Sequence, residues 1–369
     1  MNILIAPDKF KGSLTAQQVC DAVASAILKV HPEWNVQQFP MADGGEGTCH
    51  VLTSLYGGKK IKVNARDPLF REIETYYGLS PDGRTAFIET ASASGLQLLK
   101  PEERNPRFTS TIGTGDLIAH ALRSGVKEII IGCGGSATND GGMGLASAVG
   151  ISFLDSNSKV LHPVGENLSK IHSINADNLM KEVANCSFTL LSDVDNPLTG
   201  PEGAAYTFAA QKGANTQDIE FLDSGLKHFA SVIEAHGLGL PNFSGAGAAG
   251  GLPVSARVFL KAQQQLGVNF IMAFGKLEEK IMHADLVITG EGKLDQQSLH
   301  GKVVSGIAKT CTIYQKKIWV ICGINELQEN QWRTLEVEKV VSLSDDKTSK
   351  DESIKNASAL IHKQILALM

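Results

Sequence analysis

Aromatic residues make up only 6% of this 369-residue sequence. No apolar stretch approaches the ~18 residues that a membrane-spanning helix needs. The six cysteines, at positions 20, 49, 133, 186, 311 and 322, contain no C-x-x-C pair. That excludes a disulfide framework or a zinc knuckle and favours a reducing compartment. Ten histidines show no H-E-x-x-H or other metal spacing, so zinc is not expected. Lys and Arg number 34 against 39 acids, a net charge of -5 with no long block of one sign. This argues against a nucleic-acid or anionic-membrane partner held by bulk charge. The apolar run Ile3–Ala6 near the first residue is too short and wrongly flanked for a signal peptide. A cytoplasmic protein is expected. The G-x-x-x-x-G-K-[ST] pattern is absent, which excludes the P-loop.

What is present is glycine, 37 residues gathered in short runs. Clustered glycine marks backbone brought close to something. With 43% hydrophobic and 20% charged residues, the chain can bury a sizeable core, and its length predicts two domains. Both ends follow one grammar of short apolar strands alternating with helices. Residues 3–7 read as a strand, and Thr15 with Gln18 reads as a capping box. Val19, Ala22, Val23, Ala26, Ile27 and Val30 then recur at helical spacing up to Pro32. A strand near Val36–Pro40, a glycine-rich loop and a helix through Val51 and Leu52 follow. Strands at 285–289, 318–322 and 339–343, each with a helix after it, repeat the pattern. Such alternation predicts a parallel sheet covered on both faces.

The middle differs. Glu72–Tyr77 alternates with period two, and a turn at Ser80–Gly83 leads into 85–89, an antiparallel hairpin. Strands at 128–131 and 187–191 alternate with helices, one of them through Ile219, Leu222, Leu226, Phe229 and Val232. The expected fold is a two-domain α/β protein. Its doubly wound, parallel-sheet domain is built from both chain ends (1–61 and 266–369), and a mixed α/β domain is inserted at 62–265.

The loops at strand ends carry the chemistry. Six glycines fall within 132–144, directly after a strand, where successive N–H groups form an anion cradle. Ser136, Thr138 and Asn139 add side-chain donors, and Asp140 is placed to hold a cation. Gly132-x-Gly134-x-x-Ala137 also fits a dinucleotide fingerprint with Asp155 about twenty residues on. The helix that would follow is too short for the usual crossover. The segment Asp8–Ser13 sets Lys9, Lys11 and Ser13 before a helix N-terminus. Asp43 and Glu46 lie among the glycines of 42–47. Lys293 and Asp295 follow the strand at 285, with His300 to Lys302 beyond. Asp193-Val-Asp195-Asn196 is a magnesium or proton-transfer candidate, because hard oxygens suit Mg²⁺. Gly245–Gly251 is readable as close helix packing or as ligand approach.

Taken in order, Ala6–Ser13, Met41–Thr48, Thr111–Gly115, Gly134–Gly142, Asp193–Pro197, Phe208–Ala214, Gly245–Gly251 and Ile288–Asp295 resemble the bacterial glycerate kinase family of the first type, which phosphorylates glycerate with ATP. The resemblance spans nearly the whole chain. It implies two α/β domains with a discontinuous first domain, ATP and glycerate as ligands, and commonly 2-phosphoglycerate as product. Phosphoryl transfer requires cradled phosphates, Mg²⁺ and a positioned hydroxyl. On that chemistry Asp193 is expected as base, with Asp43 and Asp295 in reserve, and Asp195 as partner of Mg²⁺. Lys9, Lys11, Ser13, Glu46 and Lys293 are expected to bind the substrate. Gly134, Gly135, Ser136, Thr138, Asn139, Asp140 and Gly141 are expected to hold the nucleotide. A nicotinamide-dependent dehydrogenase and a non-catalytic small-anion binding protein are the competing readings. A homodimer is left open.

Overall fold

The computed structural model describes residues 1–299, 302–344 and 350–369. In chain order its strands are β1 (Asn2–Ile5), β2 (Asn35–Gln38), β3 (Lys59–Arg66), β4 (Glu72–Leu79), β5 (Thr85–Glu89), β6 (Glu128–Gly132), β7 (Ser152–Leu154), β8 (Ser173–Asn175), β9 (Ser187–Leu191), β10 (Gln263–Gln265), β11 (Leu286–Leu294), β12 (Lys317–Asn325) and β13 (Lys339–Ser342). The chain forms two compact units, Met1–Asp43 with Gly267–Met369, and Gly44–Leu266.

In the first unit the sheet order is β13-β12-β11-β1-β2, with every pairing parallel. The helix Ala16–Val30 starts where expected. Thr15 Oγ1 accepts from the Gln18 amide at 3.2 Å, and Gln18 Oε1 accepts from the Thr15 amide at 2.9 Å. Its apolar stripe, including Val19, Val23 and Ile27, packs with Ile361 and Ile365 of helix Ala357–Leu366 against Ile3, Ile5 and Ile288. Each such large side chain, fully buried, contributes about 1.5–3 kcal/mol relative to exposure. Leu4 and Val287 alternate to the opposite face and are buried as well. Chain order reverses between β1 and β11, since β2 lies outward of β1 on one side and β12 and β13 outward of β11 on the other. Such a switch point opens a crevice at the carboxyl ends of the strands.

The second unit carries a six-stranded sheet, β10-β9-β6-β5-β4-β3, and a two-stranded sheet, β7-β8. β3, β4 and β5 pair antiparallel, while β5, β6, β9 and β10 run parallel. The turn between β4 and β5 closes through the Gly83 amide on the Ser80 carbonyl at 3.0 Å. One expected boundary moves. The helix Thr48–Leu55, read as part of the end-built domain, belongs to the second unit, whose first residue is Gly44 and not residue 62. The reason is local: Glu89, at the end of β5, accepts from the amides of Gly47 (2.9 Å) and Cys49 (3.2 Å), and Cys49 Sγ lies 3.1 Å from the Phe87 carbonyl. Among the described residues no helix is long and apolar enough to cross a membrane.

Candidate active site

In the first unit, a cavity of about 340 Å³ opens at the switch point between β1 and β11. β1 does not stop pairing at Ile5: the Ala6 amide donates to the Ile288 carbonyl at 2.7 Å, and the Asp8 amide to the Gly290 carbonyl at 2.8 Å. The loop that follows therefore leaves the sheet edge beside β11. Asp8, Lys9, Lys11, Ser13, Asp43, Lys293 and Asp295 all line the cavity, together with Glu291 and Lys302. Lys9 Nζ stands 3.7 Å from Asp8 Oδ1 and 3.4 Å from Asp43 Oδ1. Lys293 Nζ lies 3.4 Å from Asp295 Oδ2 and 2.8 Å from Glu326 Oε2. Ser13 Oγ donates to the Ile354 carbonyl at 2.6 Å. Lys11 is exposed.

Two acids that sequence reasoning did not single out dominate the electrostatics. Burial pushes the Asp8 carboxyl up to about 7, against the lowering pull of Lys9. Burial likewise pushes Glu291 up to about 7, with Ser298 and Lys302 opposing and Asp8 and Asp295 adding repulsion. Glu291 Oε1 is buried with no hydrogen-bond partner. A carboxyl that titrates near neutrality and has a lone pair to spare can take a proton from a bound alcohol. The signal available in the sequence was position: both acids sit directly past apolar strands at their carboxyl ends. His300 and Gly301 lie outside the described residues.

The second unit holds the glycine-rich loop after β6. Of the residues expected to hold a nucleotide, only Gly134 and Gly135 reach the surface; Ser136, Thr138, Asn139, Asp140 and Gly141 are buried. Among the described residues, the amides of Gly134, Gly135 and Ser136 donate no hydrogen bond within the protein. Three successive amides without an internal partner are a donor set of the kind that suits an anion. The far half of the loop is core. Asp140, read as a cation holder, has its oxygens occupied by donors: the Thr111 amide and hydroxyl, both at 2.8 Å, and the amides of Gly142 and Gly144, both at 3.1 Å. Burial raises its pKa and these bonds oppose the rise. Gly141 has φ +63°, and a Cβ there would sit 2.8 Å from the Phe229 ring. Lys212, within the Phe208–Ala214 segment, donates to Ser136 Oγ at 3.0 Å and to the Thr138 carbonyl at 2.7 Å.

The remaining expected residues also fall in the second unit. Glu46 is exposed in the loop before the helix Thr48–Leu55. Asp193 and Asp195 follow β9, which ends at Leu191 as expected; Asp193 is half-buried and Asp195 exposed.

The first unit is an open α/β sheet with acids and lysines in a cavity at its switch point, and the second carries a glycine loop whose three successive amides donate no bond within the protein. The model of the glycerate kinase family matches residues 3–369. The chain is 42% identical to the glycerate kinase of Bacillus subtilis (strain 168), over 88% of this chain and 85% of the relative. It is 41% identical to the glycerate 2-kinase of Escherichia coli (strain K12), again over 88% and 85%. A crystal structure from Salmonella typhimurium LT2, described as glycerate kinase 2, superposes with a TM-score of 0.85 at 38% identity, covering 100% of this chain and 97% of that one. The chain belongs to the glycerate kinase family.

Proposed function

We propose that the chain is an ATP-dependent glycerate kinase that transfers the γ-phosphoryl group to a hydroxyl of D-glycerate, giving 2-phosphoglycerate. The observation that carries the substrate assignment is the first unit's cavity. It combines cations for a small carboxylate, Lys9, Lys11 and Lys293, with two acids held near neutrality, Asp8 and Glu291. The γ-phosphorus gains a bond to the glycerate oxygen and loses its bond to the oxygen that leaves with ADP, while the hydroxyl proton passes to a carboxylate. Glu291 suits that last role through its unpartnered Oε1. Asp193 is the second choice, and Asp43 and Asp295 lie in the cavity as further acids. The amides of Gly134, Gly135 and Ser136 are the proposed phosphate donors.

Mg²⁺ is the expected companion of ATP. No three His, Cys, Asp or Glu residues group to hold a metal among the described residues. Mg²⁺ needs no such cage, since it takes one or two carboxylates and completes its shell with phosphate oxygens and water. The hard oxygens of Asp195 and of nearby Asp193 fit that demand. When bound, the ion neutralises charge on the phosphates.

A cytoplasmic setting goes with this reading, supported by six free cysteines, five of them buried. The dehydrogenase reading is disfavoured by the helix after the glycine loop, Met143–Ala148, which has six residues and cannot serve as a crossover helix. Separate titrations with ATP and NAD test the proposal. ATP binding with glycerate-dependent ADP release is expected, whereas tight NAD binding without ATP turnover would overturn it.

A further inference from the structure

We propose that Lys212 is a positioning residue of the glycine-rich loop, a buried amine that holds Ser136 and Thr138 in place and gains positive charge when phosphate occupies the loop. The inference rests on the reading of this loop as a phosphate site. Lys212 is 3% exposed and ends a short 3-10 turn, Ala210–Lys212. A lysine so deeply buried is rare unless it is paired. Here two of its donor positions go to Ser136 Oγ and the Thr138 carbonyl, both just past the free amides of the loop tip. The charge facing it is the carboxylate of Asp140, whose own oxygens are taken up by Thr111, Gly142 and Gly144. Beside Thr138, Asn139 is fully buried, and neither polar atom of its amide has a partner. The Asn139 NH2 is thus a donor group with no partner in the protein, next to the residue whose carbonyl Lys212 holds. Burial lowers the Lys212 amine to about 7, with Asp140 opposing. At neutral pH the amine is therefore only partly charged, and an anion arriving at the loop favours its protonation.

The test is calorimetric titration of Mg-ADP at pH 7 in two buffers of different ionisation enthalpy, paired with hydrogen exchange of the loop amides. Wild type should take up to roughly half a proton per ADP. In Lys212→Met that uptake should vanish and ADP affinity fall about tenfold, the loss expected when a charge-assisted contact goes. Should the methionine variant not fold, the wild-type profile decides, with uptake at pH 7 that disappears near about pH 5.5, where the amine is already charged. Equal uptake in both proteins, or a flat wild-type profile, overturns the role of Lys212 while protected loop amides keep the phosphate reading. Loop amides that gain no protection from ADP overturn both.

Discussion

The Asp8 amide donates to the Gly290 carbonyl at 2.8 Å, one step beyond the last registered pair of β1 and β11. That bond carries the pairing past the strand end, at the point where Asp8 and Glu291 both enter the cavity. Burial is the main reason that neither keeps an ordinary carboxyl pKa, with the charge of Asp43 adding to the rise at Asp8 and those of Asp8 and Asp295 adding at Glu291.

A dependence of stability on pH follows. In the unfolded chain such carboxyls ionise near ~4; folded, Glu291 does so at about 7. Between those values the native state binds more protons, so stability falls as pH rises through that window and is greatest below it. Glu291→Gln removes the ionisation. Its melting temperature should exceed that of wild type at pH 8, with the gap closing towards pH 5. A gap independent of pH would place the Glu291 carboxyl in ordinary solvent.

Lys9 is the cation shared by Asp8 and Asp43. Replacing it with methionine should lower kcat/KM for glycerate at least about tenfold, corresponding to a charge-assisted contact of roughly 1.5 kcal/mol or more. Lys293→Met should cost less, because that side chain is half exposed and already engaged by Glu326. Steady-state kinetics on both variants gives the ranking, and equal effects would contradict it.

The proton acceptor can be separated from the metal partner. Glu291→Gln should lower kcat about a hundredfold, the lower range for loss of a general base, with ATP affinity little changed. Asp193→Asn should have a smaller effect on kcat. Asp195→Asn should mainly raise the Mg²⁺ concentration needed for half-maximal rate. A variant Asp193→Asn slower than Glu291→Gln would return the base to Asp193.

Gly290, next to Glu291 on β11, is there for packing between strands. A Cβ on Gly290 would stand 2.0 Å from the Ile321 carbonyl oxygen on β12. Gly290→Val should therefore destabilise by about 2 kcal/mol or more, read as a lower urea midpoint. An unchanged midpoint would mean that β11 and β12 can separate locally.

Much of this was legible from residue order alone. Apolar runs ending in polar loops located Lys9, Lys11, Ser13, Asp43, Lys293 and Asp295, because strand ends in a parallel sheet converge on one edge, and all six line one cavity. Burial was harder to read. Asp8 and Glu291 look like ordinary loop acids in sequence, but Asp8 continues the pairing with β11 and Glu291 pairs with Cys322 of β12, and both are buried. Asp140 looked like a ligand among glycines, yet long-range packing against Thr111 turns it inward. The strand end at Leu191 was legible, since 187–191 reads as a strand and β9 spans Ser187–Leu191.

Phosphorus NMR of the products formed from ATP, Mg²⁺ and D-glycerate decides which reaction the protein catalyses. The expected result is stoichiometric ADP and a single phosphomonoester assigned as 2-phosphoglycerate, abolished when glycerate is omitted. ADP appearing only with inorganic phosphate, or no turnover of ATP with glycerate present, would contradict the account.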